Sequence, residues 1–162
     1  MNRARITLAV LSLALTGACR GASPTAPTPA STPVATSLAL SLSPDPIVAA
    51  ENDDPDAPLR ADWVVTITVA GTGGTVSFVN ATLRDAASGA LPEPRGTLSL
   101  AEAGIVAQVG SNRVPAGGSI RVAQGLAYAL PSGNRRARLV VTVQLIDDLG
   151  NLASRSVSTT VE

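Results

Sequence analysis

The chain of 162 residues has no histidine, and it has no lysine either, because all 12 of its basic residues are arginine. Without imidazole there is no Ser-His-Asp or Cys-His relay and no His metal ligand, and without a lysine amine there is no Schiff base. Aromatic residues are almost missing, with one Trp, one Tyr and one Phe. Sugar platforms and single-strand binding sites stack on several exposed rings, so neither class fits this composition. The 12 basic residues are matched by 12 acidic ones, which leaves no excess positive charge to hold a nucleic-acid backbone. A single cysteine excludes an internal disulfide.

That cysteine, Cys19, stands directly after Leu15-Thr16-Gly17-Ala18, and its position is the most informative feature present. Arg3 and Arg5 form a positive start, and the ten residues from Ile6 to Leu15 carry no charge. Ten uncharged, mostly apolar residues fall well short of the roughly 20 that span a bilayer as a helix, so residues 1–18 read as a secretory signal. The segment resembles the signal of bacterial lipoproteins, in which small residues precede a cysteine that becomes the lipidated first residue. Leu15 lies four residues before Cys19 rather than three, with Thr16 in the usual leucine position. The resemblance implies lipidation at Cys19 and a partner in the membrane. The alternative is an ordinary signal cut near Ala18, which leaves a free thiol. Acylation stabilises attachment by about 0.8 kcal/mol for each buried CH₂, so a multiply acylated cysteine is a durable anchor. Arg20, in place of the aspartate that retains such proteins at an inner membrane, points to the outer membrane of a bacterial envelope.

Removal of Arg3 and Arg5 with the signal leaves ten arginines against twelve carboxylates, a net charge of −2. Residues 19–36 then hold Pro24, Pro27, Pro29 and Pro33 among Ser, Thr and Ala. Such a stretch buries too little apolar area to offset its ordering entropy, and it is expected to be a disordered stalk. In polyproline II form, at about 3.1 Å per residue, it reaches roughly 50 Å.

Residues 37–162 read as one domain with a period of two. Leu38, Leu40 and Leu42 alternate with Ala and Ser up to Pro44-Asp45-Pro46. Trp63, Val65, Ile67 and Val69 alternate with Asp62, Thr66 and Thr68, and the run stops at Gly71-Thr72-Gly73-Gly74. From Thr75 to Asp85 the parity is ambiguous: Val76 and Phe78 point one way, Val79, Ala81 and Leu83 the other. Ile120, Val122, Leu126, Tyr128 and Leu130 share a face, as do Leu139, Val141, Val143 and Leu145, and a last strand covers Leu152 to Val161. Between Gly89 and Gly118 the pattern weakens, with short strands expected near Gly96–Leu100 and Ile105–Val109 and no helix. The pattern predicts an all-β antiparallel sandwich of about seven strands. The C-terminal run Leu139 to Asn151 with its following strand, together with Trp63, resembles bacterial Ig-like and fibronectin type III-like domains. That resemblance implies a fold and no particular function.

Asp147-Asp148-Leu149-Gly150-Asn151 is the strongest local motif, and Asp, Gly and Asn at these positions build a tight hairpin. Glu51, Asp53, Asp54 and Asp56 are the candidate calcium ligands, although their spacing does not match the twelve-residue EF-hand loop. Connections in a sandwich alternate between its two ends, so this acidic run is expected to face the loop leading to Arg135, Arg136 and Arg138, as a solvated ion-pair cluster. Trp63 and Tyr128 belong to the core by their parity. Gly71–Gly74 and Gly117-Gly118 lead into no helix and cradle no phosphate. No cofactor is implied and no enzyme activity is expected. The functional expectation is a membrane-anchored module that works by protein contact or as an envelope component. The alternative is an Ig-like inhibitor or accessory subunit of an extracytoplasmic enzyme, acting through Pro92, Glu93, Pro94 and Arg95, where two prolines lower the entropy lost on binding. Val76 and Phe78, if both face outward, add an apolar partner patch.

Overall fold

The computed structural model describes residues 36–85, 94–131 and 136–162. Cys19, the signal, the Pro/Thr-rich segment before Thr36, and Pro92, Glu93 and Arg135 lie outside them. The elements run in the order β1 (Ser37–Ser43), β2 (Ala50–Glu51), β3 (Leu59–Ala70), β4 (Gly74–Asp85), β5 (Pro94–Ala101), α1 (Glu102–Val109), β6 (Arg113–Val114), β7 (Ser119–Tyr128), β8 (Ala137–Asp147) and β9 (Leu152–Val161).

They form two antiparallel sheets. In the first, β3 is central; β1 and β2 share one of its edges, and β7 runs along the other from Leu59↔Tyr128 to Thr68↔Ser119. The second has the order β5-β4-β8-β9, with β6 continuing beside β4 at Gly74↔Val114. The alternation read from sequence sets the inward faces. Trp63, Val65, Ile67 and Val69 of the first sheet meet Val79, Ala81, Leu83, Leu139, Val141, Val143 and Leu145 of the second, all of them buried. Each such aliphatic side chain contributes about 1.5–3 kcal/mol on leaving water. These terms must hold the two layers together, because no disulfide joins them.

Between β1 and β2 the chain changes sheets. Pro44 and Pro46 have no N–H for a ladder, and the next residues pair in parallel with the end of β9 at Ile47↔Val161. Ile47 N–H donates to Thr160 O at 3.0 Å, and Glu162 N–H donates to Ile47 O at 2.9 Å. Thr159 adds a short hydroxyl bond to the Asp45 carboxylate. This segment closes one side of the sandwich and buries Ile47 completely.

Two expectations are corrected. Residues 102–109 form the helix α1, not a strand. Ile105 points into the core and Val109 packs beside it one turn on, which is helical spacing. Gly110, at φ 81°, ends the helix in the left-handed conformation and donates its N–H to Val106 O at 2.8 Å. Second, Val76 and Phe78 do not share a face. The register of β4 against β8 shifts between them, so the Ser77–Phe78 pair is a bulge opposite Gln144. Val76 is fully buried and Phe78 half-buried, and no outward Val76–Phe78 patch exists.

Candidate functional site

Side-chain chemistry collects in three places. The first is the turn at Asp147–Asn151. Asp147 Oδ1 accepts the backbone N–H of Leu149 at 3.0 Å and of Asn151 at 2.7 Å, while Oδ2 accepts Asn151 Nδ2 at 3.2 Å. These donors, led by the Asn151 backbone, hold the Asp147 carboxyl below the usual aspartate range. Asp148 next to it takes two bonds from the Arg113 guanidinium, at 2.8 and 3.0 Å, and its carboxyl is lowered by that partner. The chain enters the sandwich at this end, where the Thr36 hydroxyl donates to Thr72 O at 3.2 Å. The turn is a self-bonded hairpin, as its sequence indicates.

The second is the acidic connection at the opposite end. Asp54 Oδ1 accepts the Asp56 N–H at 2.9 Å, Asn52 Nδ2 donates to Ala57 O at 2.8 Å, and Asn52 N–H donates to Pro58 O at 2.9 Å. The loop therefore satisfies itself. Among the described residues no three acidic side chains come together as a metal-ligand group, so Glu51, Asp53, Asp54 and Asp56 do not converge. Glu51 sits beside Leu59 and Leu59 beside Tyr128, where β7 finishes. Of the arginines expected to face the acidic run, Arg135 lies outside the described residues, Arg136 meets Glu162 at 3.7 Å and Arg138 donates to Ser158 at 3.0 Å. Pro94 and Arg95 open the strand β5, with Pro94 opposite Arg84, so that part of the expected protruding loop is sheet; the Arg95 side chain is exposed.

The third was not apparent from local sequence. A cleft of about 560 Å³ is lined by the end of β1 and by residues of β3, β5, α1 and β7. Its outer wall is Ser43, Pro44, Arg60, Asp62, Val64, Ala123 and Gly125; its inner wall is Trp63, Gln124, Leu98, Leu100 and Gln108. Its size lies within the range of small-ligand pockets. Gly125 faces Asp62 across the ladder, and its missing side chain leaves room for the Arg60–Asp62 ion pair at 2.9 Å, which lies over it. Where β5 and β7 approach, Gly96 makes way for Leu126, whose Cδ2 sits 2.8 Å from where a Cβ would be.

Trp63 and Gln124 are register partners on the inward face of this cleft, 2% and 6% exposed. Trp63 Nε1, both polar atoms of the Gln124 amide and the Tyr128 hydroxyl are buried without a hydrogen-bond partner. Burial also raises the Tyr128 pKa above its ordinary value. An unpaired buried polar group costs about 1–3 kcal/mol, and a cluster of them calls for an explanation. One signal was present in the sequence. Position 124 has the parity of Val122, Leu126 and Tyr128, which places a glutamine on an apolar face.

Compared with known proteins, the sequence matches no family model and no curated protein. The fold is similar to an X-ray structure of a Northeast Structural Genomics Consortium target, with a TM-score of 0.46 and 10% identity over 76% of this chain and 85% of that one. It is also similar to the sporulation control protein Spo0M from Bacillus subtilis, with a TM-score of 0.42 and 11% identity over 80% of this chain. The match spans half of the length of the Spo0M chain.

Proposed function

We propose that the protein is a lipid-anchored component of a bacterial cell envelope, with an Ig-like β-sandwich that works by protein contact rather than catalysis. The observation that carries this reading is Cys19, placed after the uncharged run Ile6 to Ala18 and followed by a proline-rich segment that leads to the first strand. The strand plan supports the Ig-like part: β1, β3 and β7 form one sheet, β5, β4, β8 and β9 the other, and the segment after β1 crosses to pair in parallel with β9. The acidic connection lies at the end of the sandwich away from Thr36. Arg20 after the cysteine favours the outer membrane.

Intact-mass measurement of protein extracted from native membranes tests the anchor. The expected species begins at Cys19 and carries diacylglyceryl and acyl mass, and Cys19→Ser moves the protein from the detergent phase to the aqueous phase. A mature form with an unmodified thiol refutes lipidation. Crosslinking in intact cells tests the contact role; the expected product is a discrete crosslinked protein, and none above background counts against that role.

A further inference from the structure

The unpartnered polar atoms beside β7 carry a second inference, which rests on the protein-contact reading above and not on the lipid. Gln124 is 6% exposed, lines the cleft, and holds both a donor and an acceptor buried without partners. Its register partner Trp63 offers a further unpaired donor on the same wall. We propose that this cleft binds the backbone amide of an extended, uncharged peptide segment, with Gln124 as the recognition group.

Complementarity selects the ligand class. A carboxamide places N–H₂ and C=O side by side, and one planar group answers both: another amide, whose C=O accepts from Nε2 while its N–H donates to Oε1. A carboxylate would accept from Nε2 but set a negative charge against Oε1; an ammonium would strand Nε2. Charge points the same way, since Arg60 and Asp62 at the rim engage each other at 2.9 Å and leave no net charge to draw an ion. Leu98 and Leu100 are half-buried on the same inner wall and suit small aliphatic side chains. The scarcity of aromatic residues disfavours a sugar. An extended peptide also has a place to lie. β7 pairs with β3 along one edge, and among the described residues no strand pairs with the other, the arrangement in which an added strand extends a ladder.

Trp63 is the sole tryptophan of the chain, so its emission reports directly from the cleft. The full chain, purified in detergent, is titrated with N-acetyl-alanyl-alanine N-methylamide and with the analogue in which an ester oxygen replaces the central N–H. The amide is expected to give a saturable emission shift, the ester to bind about tenfold more weakly, and Gln124→Leu to weaken the amide by about tenfold or more. No saturable change up to about 10 mM amide, or equal binding of amide and ester, overturns the proposal. An unchanged response in a cooperatively folded Gln124→Leu variant overturns it as well. If that variant does not fold, the amide–ester comparison on the unaltered protein decides. A flat titration beside a successful crosslink in cells removes the cleft and leaves the protein-contact role; a saturable titration with no crosslinked protein does the reverse.

Discussion

Arg113 grips Asp148 through two hydrogen bonds of 2.8 and 3.0 Å, which ties the short strand β6 to the β8–β9 turn. Asp148 N–H also donates to Gly73 O at 2.9 Å, so the turns after β3 and β8 and the strand β6 form one connected end of the sandwich. Asp147 beside it organises its own hairpin. Both carboxyls lie below the ordinary aspartate range, Asp147 through backbone donors and Asp148 through the guanidinium.

This end is expected to make the domain acid-sensitive. A carboxyl whose folded-state pKa is depressed contributes stability that is fully present above its unfolded value, about 3.9 for aspartate, and that is lost as pH falls through the lower folded value. The melting temperature should therefore drop below about pH 4. Asp147→Asn should lower it at neutral pH and flatten the acid limb, as followed by circular dichroism melts from pH 7 to pH 2.

Two glycines with close neighbours should respond differently to alanine. A Cβ on the buried Gly74 would sit 2.5 Å from Cδ2 of the buried Leu145 and 2.8 Å from the Ile146 carbonyl, and the carbonyl cannot move without shifting β8. Gly74→Ala is expected to cost about 1–3 kcal/mol through overpacking. On Gly125 the new atom would meet Asp62 Oδ1 and Arg60 Nη2, the ends of exposed side chains that can swing away. Gly125→Ala should stay within about 0.5 kcal/mol of the parent in urea denaturation.

Ile105 is the buried residue of α1 and carries its docking. Ile105→Ala should cost about 2–5 kcal/mol, the usual range for emptying a packed aliphatic site. If α1 were only a surface turn, the same variant would unfold at the parent's urea midpoint.

Millimolar calcium should leave the melting temperature unchanged and release no heat in calorimetric titration. Ca²⁺ takes six or more oxygens. In the acidic connection Asp54 already accepts the Asp56 N–H, and the other carboxylates do not gather around a common point.

Much of the sandwich was legible from side-chain polarity, because residue alternation is a local property of a strand with one face buried. The apolar sets of β1, β3, β7 and β8 predict both where these strands lie and which way Trp63, Tyr128 and Leu139 point. The hairpin at Asp147–Asn151 was equally legible, since Asp and Asn bond their own backbone and Gly150 accepts a φ of 84°. The ambiguous parity of β4 was itself the trace of a bulge. Val76 and Val79 both face inward, and only an extra residue between them permits that, but sequence alone does not say which strand partner absorbs the shift.

Before any folding, the order of residue types showed an uncharged run from Ile6 to Ala18 before Cys19, a proline-rich stretch, and a two-layered β domain with named inward faces. Tertiary structure decided that residues 102–109 coil into a helix, that Arg136 meets Glu162, and that Gln124 stands opposite Trp63 at a cleft. Polarity and turn chemistry act between neighbours along the chain. Cross-strand register and the meeting of β5, α1 and β7 depend on contacts between residues far apart in sequence.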